Sequence, residues 1–370
     1  MHILITGGAG FIGSHVTDAL IGRGYTVRIL DNLDPQVHGE EGRLPPDLNS
    51  RADVLVGDVR DRDQVMDALE GIDAVIHLAA KVGVGQSMYE IEAYTDVNER
   101  GTAVLLGALA ERRVRKLIVA SSMSVYGEGL MRDRQGQLIE TGGRTASQLA
   151  RGEWDLPSAD REPLEPLPTP ESKSPQLNSI YALNKFAQER MCLLMGRAYG
   201  IDTVALRLFN VYGPRQALSN PYTGVIAIFA SRLLNGRQPL VFEDGQQRRD
   251  FVHVADVARA FRLALESEEA AGHVLNIASG HNLTIRQIAQ RLAEAMGQPQ
   301  ITPRITAQFR VGDIRHCFAD TSLAQRILGF EAQMSLEEGL RDLLPWLAGQ
   351  VAIDRSEDAM DELARRGLVA

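Results

Sequence analysis

The stretch ITGGAGFIGSH, residues 5–15, decides the fold. It follows a short apolar, β-branched run at 2–5 and opens a helical stretch over 13–22. Gly7, Gly10 and Gly13 recur every third residue, and Gly8 also allows a G-x-G-x-x-G reading. Glycine suits these points for three reasons: the turn is tight, the backbone must approach a pyrophosphate, and the helix must pack on the sheet. The pyrophosphate then lies at a helix N-terminus, where free N–H groups and the helix dipole favour negative charge. Phe11 and Ile12 complete the predicted contact with a dinucleotide.

The rest of the nucleotide end follows from this turn. Asp31 ends the second predicted strand, eighteen residues after Gly13. A carboxylate there accepts from both ribose hydroxyls and repels a 2′-phosphate, so the expected cofactor is NAD rather than NADP. Asn32 adjoins it. Asp58 and Val59 of GDVRD are assigned to the adenine edge, and Leu78, Ala79 and Ala80 of HLAA are small or apolar enough for a cofactor to pass close. His77 reads as a strand-end core histidine. Lys81 is left without a role.

Apolar runs at 2–5, 26–30, 53–56, 74–78, 116–121 and 203–208 alternate with helical patterns at 61–69, 98–111 and 181–200. Continuous apolar strands separated by helices predict a doubly wound α/β fold with a parallel sheet. The expected division is a Rossmann domain over 1–212, a smaller C-terminal α/β substrate-binding domain over 213–350 crossing back near 250–262, and a helical tail over 351–370. A segment at about 127–176, rich in Pro, Gly, Arg and Glu, interrupts the first domain. It reads as a linker or as a lid between two candidate active-site segments.

Composition narrows the function classes. Of 370 residues, 44% are hydrophobic and 24% charged, as in a globular protein with a substantial core. A formal charge of −9 argues against nucleic acid. Cys192 and Cys317 have neither metal-ligand spacing nor enough company for a disulfide framework, so no metal is expected. Without a leader pattern or a membrane-length apolar run, the expectation is a cytoplasmic protein that does not enter a membrane.

The stretch SIYALNKFAQER, residues 179–190, carries Tyr181 and Lys185 four positions apart. Alone, this is an ordinary surface pairing on a helix. Its context is not ordinary. IVASSMSVYGEG puts Ser121, Ser122 and Ser124 at the C-terminal edge of the fifth predicted strand, where doubly wound sheets bind ligands. A phenol exchanging a proton, an ammonium lowering its pKa and a hydroxyl steadying the reacting oxygen would make a coherent site.

These motifs, with DVNERGT, RLFNVYGP, RRDFVHVADVA, NIASG and RVGDIRH in order, resemble the extended short-chain dehydrogenase/reductases, specifically NAD-dependent nucleotide-sugar epimerases and dehydratases. The resemblance spans about 1–349. It implies that Tyr181, Lys185 and Ser122 are catalytic, and that Tyr181, Lys185 and Asn98 also touch the cofactor. Ser122, Ser124, Asn210 and Asn220 would face the substrate, with Arg249 and Arg310 binding its diphosphate. Guanidinium forks suit phosphate. Where 4,6-dehydratases of this family carry Asp and Glu, the chain has Met123 and Ser124, so the resemblance implies 4-epimerisation. The 127–176 insertion and its neighbouring motifs are most similar to dTDP-L-rhamnose 4-epimerases. UDP-glucose or UDP-N-acetylglucosamine 4-epimerases are the alternative, followed by a 4-ketoreductase and a non-catalytic NAD(H) sensor. The expected ligand is thus a dTDP- or UDP-linked sugar. Helices at 98–111 and 181–200 imply a homodimer.

Overall fold

The computed structural model describes residues 1–156, 162, 164–310 and 312–369. Its centre is a seven-stranded sheet, parallel throughout. Across the sheet the strands run Asp53–Val56, Thr26–Asp31, His2–Thr6, Ala74–His77, Lys116–Ser122, Asp202–Leu208 and Val274–Ile277. Strand order reverses between His2–Thr6 and Ala74–His77, which creates a crevice at their C-terminal ends.

Both faces of the sheet are covered, so these short strands are apolar on both sides. One layer joins Ile3, Ile5 and Ile76 to Val16 and Leu20 of helix Phe11–Ile21 and to Val257 and Phe261 of helix Val254–Glu266. The other joins Leu4, Val75 and Val119 to Val65, Leu105, Leu109 and Leu193, from the helices on the opposite face. Helix Ile180–Tyr199 lies in this second layer. Ser179 caps it by accepting from Ala182 N at 3.1 Å, and Gly200 ends it in the left-handed conformation.

The return to the first domain reaches further than 250–262. Helix Val254–Glu266 packs against the first helix, and Val274–Ile277 pairs with Asp202–Leu208 as the seventh strand. Four residues show too little periodicity to identify that strand from sequence.

The smaller unit contains strands Asn210–Tyr212, Arg248–His253, Asn282–Thr284 and His316–Cys317. Helices Val225–Leu234, Ile285–Ala295 and Leu336–Ala348 form its apolar core. Capping boxes, Thr284 with Gln287 and Ser335 with Glu338, start the latter two helices. The tail helix Ser356–Arg365 is docked. Arg232 donates to Asp354 and Ser356 at 3.1 and 2.8 Å, while the Arg366 guanidinium lies 4.3 Å from the Tyr89 ring centre.

The interrupting segment is built into the molecule. Met131–Arg132 pairs with Leu138–Ile139 and Glu165–Pro166 in a small antiparallel sheet. Arg144 meets Glu243 at 2.8 Å, and Arg315 reaches Asp155, Asp244 and Glu243 at 2.9, 2.6 and 3.1 Å. Glu128 accepts from the Arg315 and His316 amides. The arginines and acids that suggested a linker therefore dock this segment through a largely buried charge network. Among the described residues, none of 127–176 lines the principal cleft.

Candidate active site

The crevice at the strand reversal opens into a cleft of about 400 Å³ between the two units. At one end, the glycine turn leaves almost no room for side chains. Gly7 has φ of +73°, and a Cβ there would come within 2.8 Å of Ala79 N. A Cβ on Gly13 would lie 2.6 Å from Gly8 Cα. Gly10 differs: its added Cβ would meet only Gly7 O at 3.5 Å, and it begins helix Phe11–Ile21 without a side-chain cap. Gly10, Phe11 and Ile12 line the cleft, so bare backbone at a helix N-terminus faces the ligand space.

Asp31 is fixed before any ligand arrives. Its two oxygens accept from Ala9 N and Leu33 N, both at 3.0 Å, and His38 Nε2 lies 3.6 Å away. Asp58 is gripped by Arg60 at 2.6 Å and by Asn32 at 3.1 Å. The Arg60 bond is the largest influence lowering its pKa to about 2. Val59, Leu78, Ala79 and Ala80 add the remaining predicted wall. His77 lies behind it, between the Thr6 and Thr102 hydroxyls at 2.7 and 2.9 Å. Burial lowers its pKa to about 3, leaving a neutral scaffold histidine.

Tyr181, Lys185 and Ser122 line the same cleft. The helix start that carries Tyr181 is pinned twice, by the Ser179 cap and by Tyr181 N donating to Ser87 Oγ at 3.0 Å. Ser122 Oγ accepts from Ser124 N and Ser124 Oγ at 3.2 and 2.9 Å. The electrostatics depart from the expectation that lysine loosens the phenol. Burial raises the Tyr181 pKa to about 12, and the opposing influence is its hydrogen bond with Ser122. Burial also lowers Lys185 to about 8, against Cys192 and Glu189. In this cleft, desolvation is the largest influence on both groups, and the one influence opposing it at the phenol comes from Ser122.

The other sequence-predicted residues divide. Asn210 and Asn220 line the cleft, and Asn210 Oδ1 is buried without a hydrogen-bond partner. Ser124 lies outside the lining, committed to Ser122. Asn98 is also behind the wall. Its amide accepts from Lys81 N at 2.8 Å and donates to Lys81 O at 3.1 Å, which shapes the loop after HLAA. Neither arginine lines the cleft. Arg249 donates to the carbonyls of Arg248, Arg315 and Ile314, and Arg310 pairs with Asp313 at 3.0 Å against the Phe242 ring. Their motifs were visible in sequence, but the Arg315 and Ile314 carbonyls that hold Arg249 and the Phe242 ring under Arg310 come from distant segments.

Several lining residues had gone unread. Lys81 approaches Glu90 at 3.5 Å and the Tyr94 ring at 5.8 Å, while Gln86 and Tyr222 add polar groups at the substrate side. Gln86 lies in the stretch VGVGQSMYEI, residues 82–91, with no spacing rule to mark it.

Bare helix-terminal backbone and a carboxylate fixed at the end of the second strand are features that suit a dinucleotide. Together with the Tyr–Lys–Ser wall, they define an extended short-chain dehydrogenase/reductase. The sequence matches the NAD dependent epimerase/dehydratase family over residues 3–148 and 157–278, and the chain belongs to that family. A curated relative, dTDP-L-rhamnose 4-epimerase of Burkholderia thailandensis, is 36% identical over 94% of this chain and 95% of its own length. UDP-glucose 4-epimerase of Thermotoga maritima, solved with UDP-glucose, has a TM-score of 0.76 and 33% identity, covering 94% of this chain and 99% of that one. dTDP-glucose 4,6-dehydratase of Streptomyces venezuelae, solved with NAD and TYD, has a TM-score of 0.77 and 28% identity, covering 94% and 97%. The protein is accordingly an NAD-dependent enzyme of the nucleotide-sugar epimerase/dehydratase group.

The raised phenol gives a direct test. Ultraviolet difference titration of NAD-free protein, compared with Tyr181→Phe, should show no phenolate from residue 181 below about pH 10. Ionisation of Tyr181 near neutrality without NAD would contradict the dominance of burial.

Proposed function

We propose that the protein is a nucleotide-sugar 4-epimerase, with dTDP-L-rhamnose and dTDP-6-deoxy-L-talose as its preferred pair. The carrying observation is the distribution of acids and hydroxyls in the cleft. Tyr181, Lys185 and Ser122 line the cleft together, whereas the lining carboxylates belong to the end of the second strand (Asp31), the turn after it (Asp34) and the turn after the third (Asp58). Met123 and Ser124 stand where a dehydratase needs acids to expel the sugar's 6-hydroxyl.

In the proposed cycle, Tyr181 Oη removes the proton of the sugar 4-hydroxyl, and the Ser122 hydroxyl holds the same oxygen. Lys185 contributes positive charge while protonated, favouring the phenolate once a ligand alters the burial that now opposes it. The glycine turn and Asp31 would hold NAD, which would supply hydride-acceptor chemistry and, once reduced, hydride-donor chemistry beside this wall. The ketone must turn over in the cleft between the two transfers, after which Tyr181 returns its proton to the 4-oxygen. No net oxidation results. Asn210 and Asn220 would orient the sugar and phosphate end, with Arg249 and Arg310 reaching the diphosphate after exchanging their present partners.

The dTDP reading is favoured by the relative from Burkholderia thailandensis. UDP-glucose or UDP-N-acetylglucosamine epimerisation is the second reading, supported by the Thermotoga maritima structure. Incubation with each nucleotide sugar should give a C4 epimer by NMR, fastest from dTDP-L-rhamnose. Tyr181→Phe should retain NAD and lose turnover by about a hundredfold or more. A faster UDP-sugar reaction would transfer the assignment, and full activity of Tyr181→Phe would remove the proton-transfer scheme.

We also propose a homodimer through helices Gly101–Glu111 and Ile180–Tyr199. Leu183 and Leu194, three helical turns apart, are 45% and 57% exposed on the latter. Light scattering at micromolar concentration should give twice the chain mass; a monomer would refute the assembly.

A further inference from the structure

A short turn beside the cofactor end is tied through Gln36 to side chains from two distant parts of the chain, Gln86 and Asn220. Pro35–His38 forms one helical turn, started by Asp34 accepting from Gln36 N at 2.8 Å. His38 faces Asp31, while Gln36 turns towards the other wall. There it meets Gln86 in a reciprocal carboxamide pair: Gln36 Nε2 donates to Gln86 Oε1 at 2.9 Å, and Gln86 Nε2 donates to Gln36 Oε1 at 3.1 Å. Gln36 Nε2 also donates to Asn220 Oδ1 at 3.1 Å.

The arrangement uses amide chemistry fully on its donor side. Gln36 Nε2 serves Gln86 and Asn220, while Gln86 Nε2 serves Gln36 and Glu90, the latter at 2.9 Å. Tyr94 OH donates to Gln86 Oε1 at 3.0 Å, and Asn220 Oδ1 accepts Tyr222 N at 2.9 Å. Gln36, Gln86 and Asn220 all line the principal cleft. Gln86 is buried, whereas Gln36 and Asn220 are only half-buried, consistent with a closure at the rim that can open.

We propose that Gln36, Gln86 and Asn220 form a latch that holds the turn closed across the cleft and slows release of NAD. The inference rests on the cofactor reading of the cleft and is independent of which sugar is epimerised. The glycine turn and Asp31 can bind a dinucleotide without these amides. Keeping it bound through repeated cycles requires a slow exit, and three hydrogen bonds bridging opposite walls oppose opening. Asn220 comes from the smaller unit, so the latch also links the cofactor end to the substrate side.

The roles of the amides differ and can be separated. Asn220 acts through an accepting oxygen, which Asn220→Asp keeps and Asn220→Ala removes. Gln36 must donate twice, which Gln36→Glu cannot do. The test loads each protein with NAD and follows exchange of bound NAD for isotopically labelled NAD. Gln36→Ala, Gln36→Glu and Asn220→Ala should exchange roughly tenfold faster than wild type, whereas Asn220→Asp should exchange slowly. Circular dichroism verifies the fold; if Gln36→Ala fails to fold, the other variants read the same rate. Wild-type exchange in the Gln36→Glu and Asn220→Ala proteins, or equally fast exchange in Asn220→Asp and Asn220→Ala, would overturn the latch. Failure of wild type to take up NAD would overturn both the latch and the cofactor reading, a separate result from a change in rate.

Discussion

The buried fork between Arg207 and Glu189 sets the position of the chemical end. Arg207 donates to both carboxylate oxygens at 2.9 and 2.7 Å, and Ser121 donates to the same group at 2.7 Å. Glu189 belongs to the helix bearing Tyr181 and Lys185, at intervals of four residues, so all three share one helical face. Arg207 and Ser121 belong to neighbouring strands. Fixing Glu189 therefore fixes the roll of the helix and points the phenol and ammonium at the cleft. Deleting either charged partner would leave a buried charge uncompensated, a cost of about 3–5 kcal/mol. The Arg207 guanidinium also lies 4.7 Å from the Tyr126 ring centre, and Tyr126 OH donates to Asn276 at 2.7 Å, extending the support to the last strand.

Desolvation governs what this placed wall can do. It opposes charge on both Tyr181 and Lys185, raising one pKa and lowering the other. The protein by itself consequently holds a neutral phenol and a lysine that gives up its proton easily. In the proposed cycle, proton exchange with a sugar would therefore draw on the electrostatic environment of the loaded cleft, joining the chemistry to ligand binding. The carboxylate of Asp31 and the bare backbone at Gly10 are set by the protein's own packing and need no such adjustment.

Sequence disclosed the parts whose chemistry is local. Gly7 and Gly13 are required by a turn with no space for Cβ, and the apolar strands by burial on two faces. Tyr181 and Lys185 were readable as a helical pair, though their orientation depends on Glu189 and Arg207, eighteen residues apart. Long-range pairing was hidden. Asn98 shapes Lys81's loop instead of lining the cleft, and Arg249 is held by the Arg315 and Ile314 carbonyls, which reach it only through folding. The Pro- and Arg-rich insertion looked unattached because Glu128 and Asp155 find their partner, Arg315, more than a hundred residues away. Short strand Val274–Ile277 lacked a periodic signal, and its place at the sheet edge is decided by its neighbour.

The most direct measurement is the distance from Tyr181 Oη to the sugar 4-oxygen in a crystal of the enzyme with NAD and dTDP-L-rhamnose. The account predicts a direct hydrogen bond of about 2.6–3.2 Å, with Ser122 touching the same oxygen. A phenol separated from that oxygen by more than one water, in a closed complex that still turns over, would contradict it.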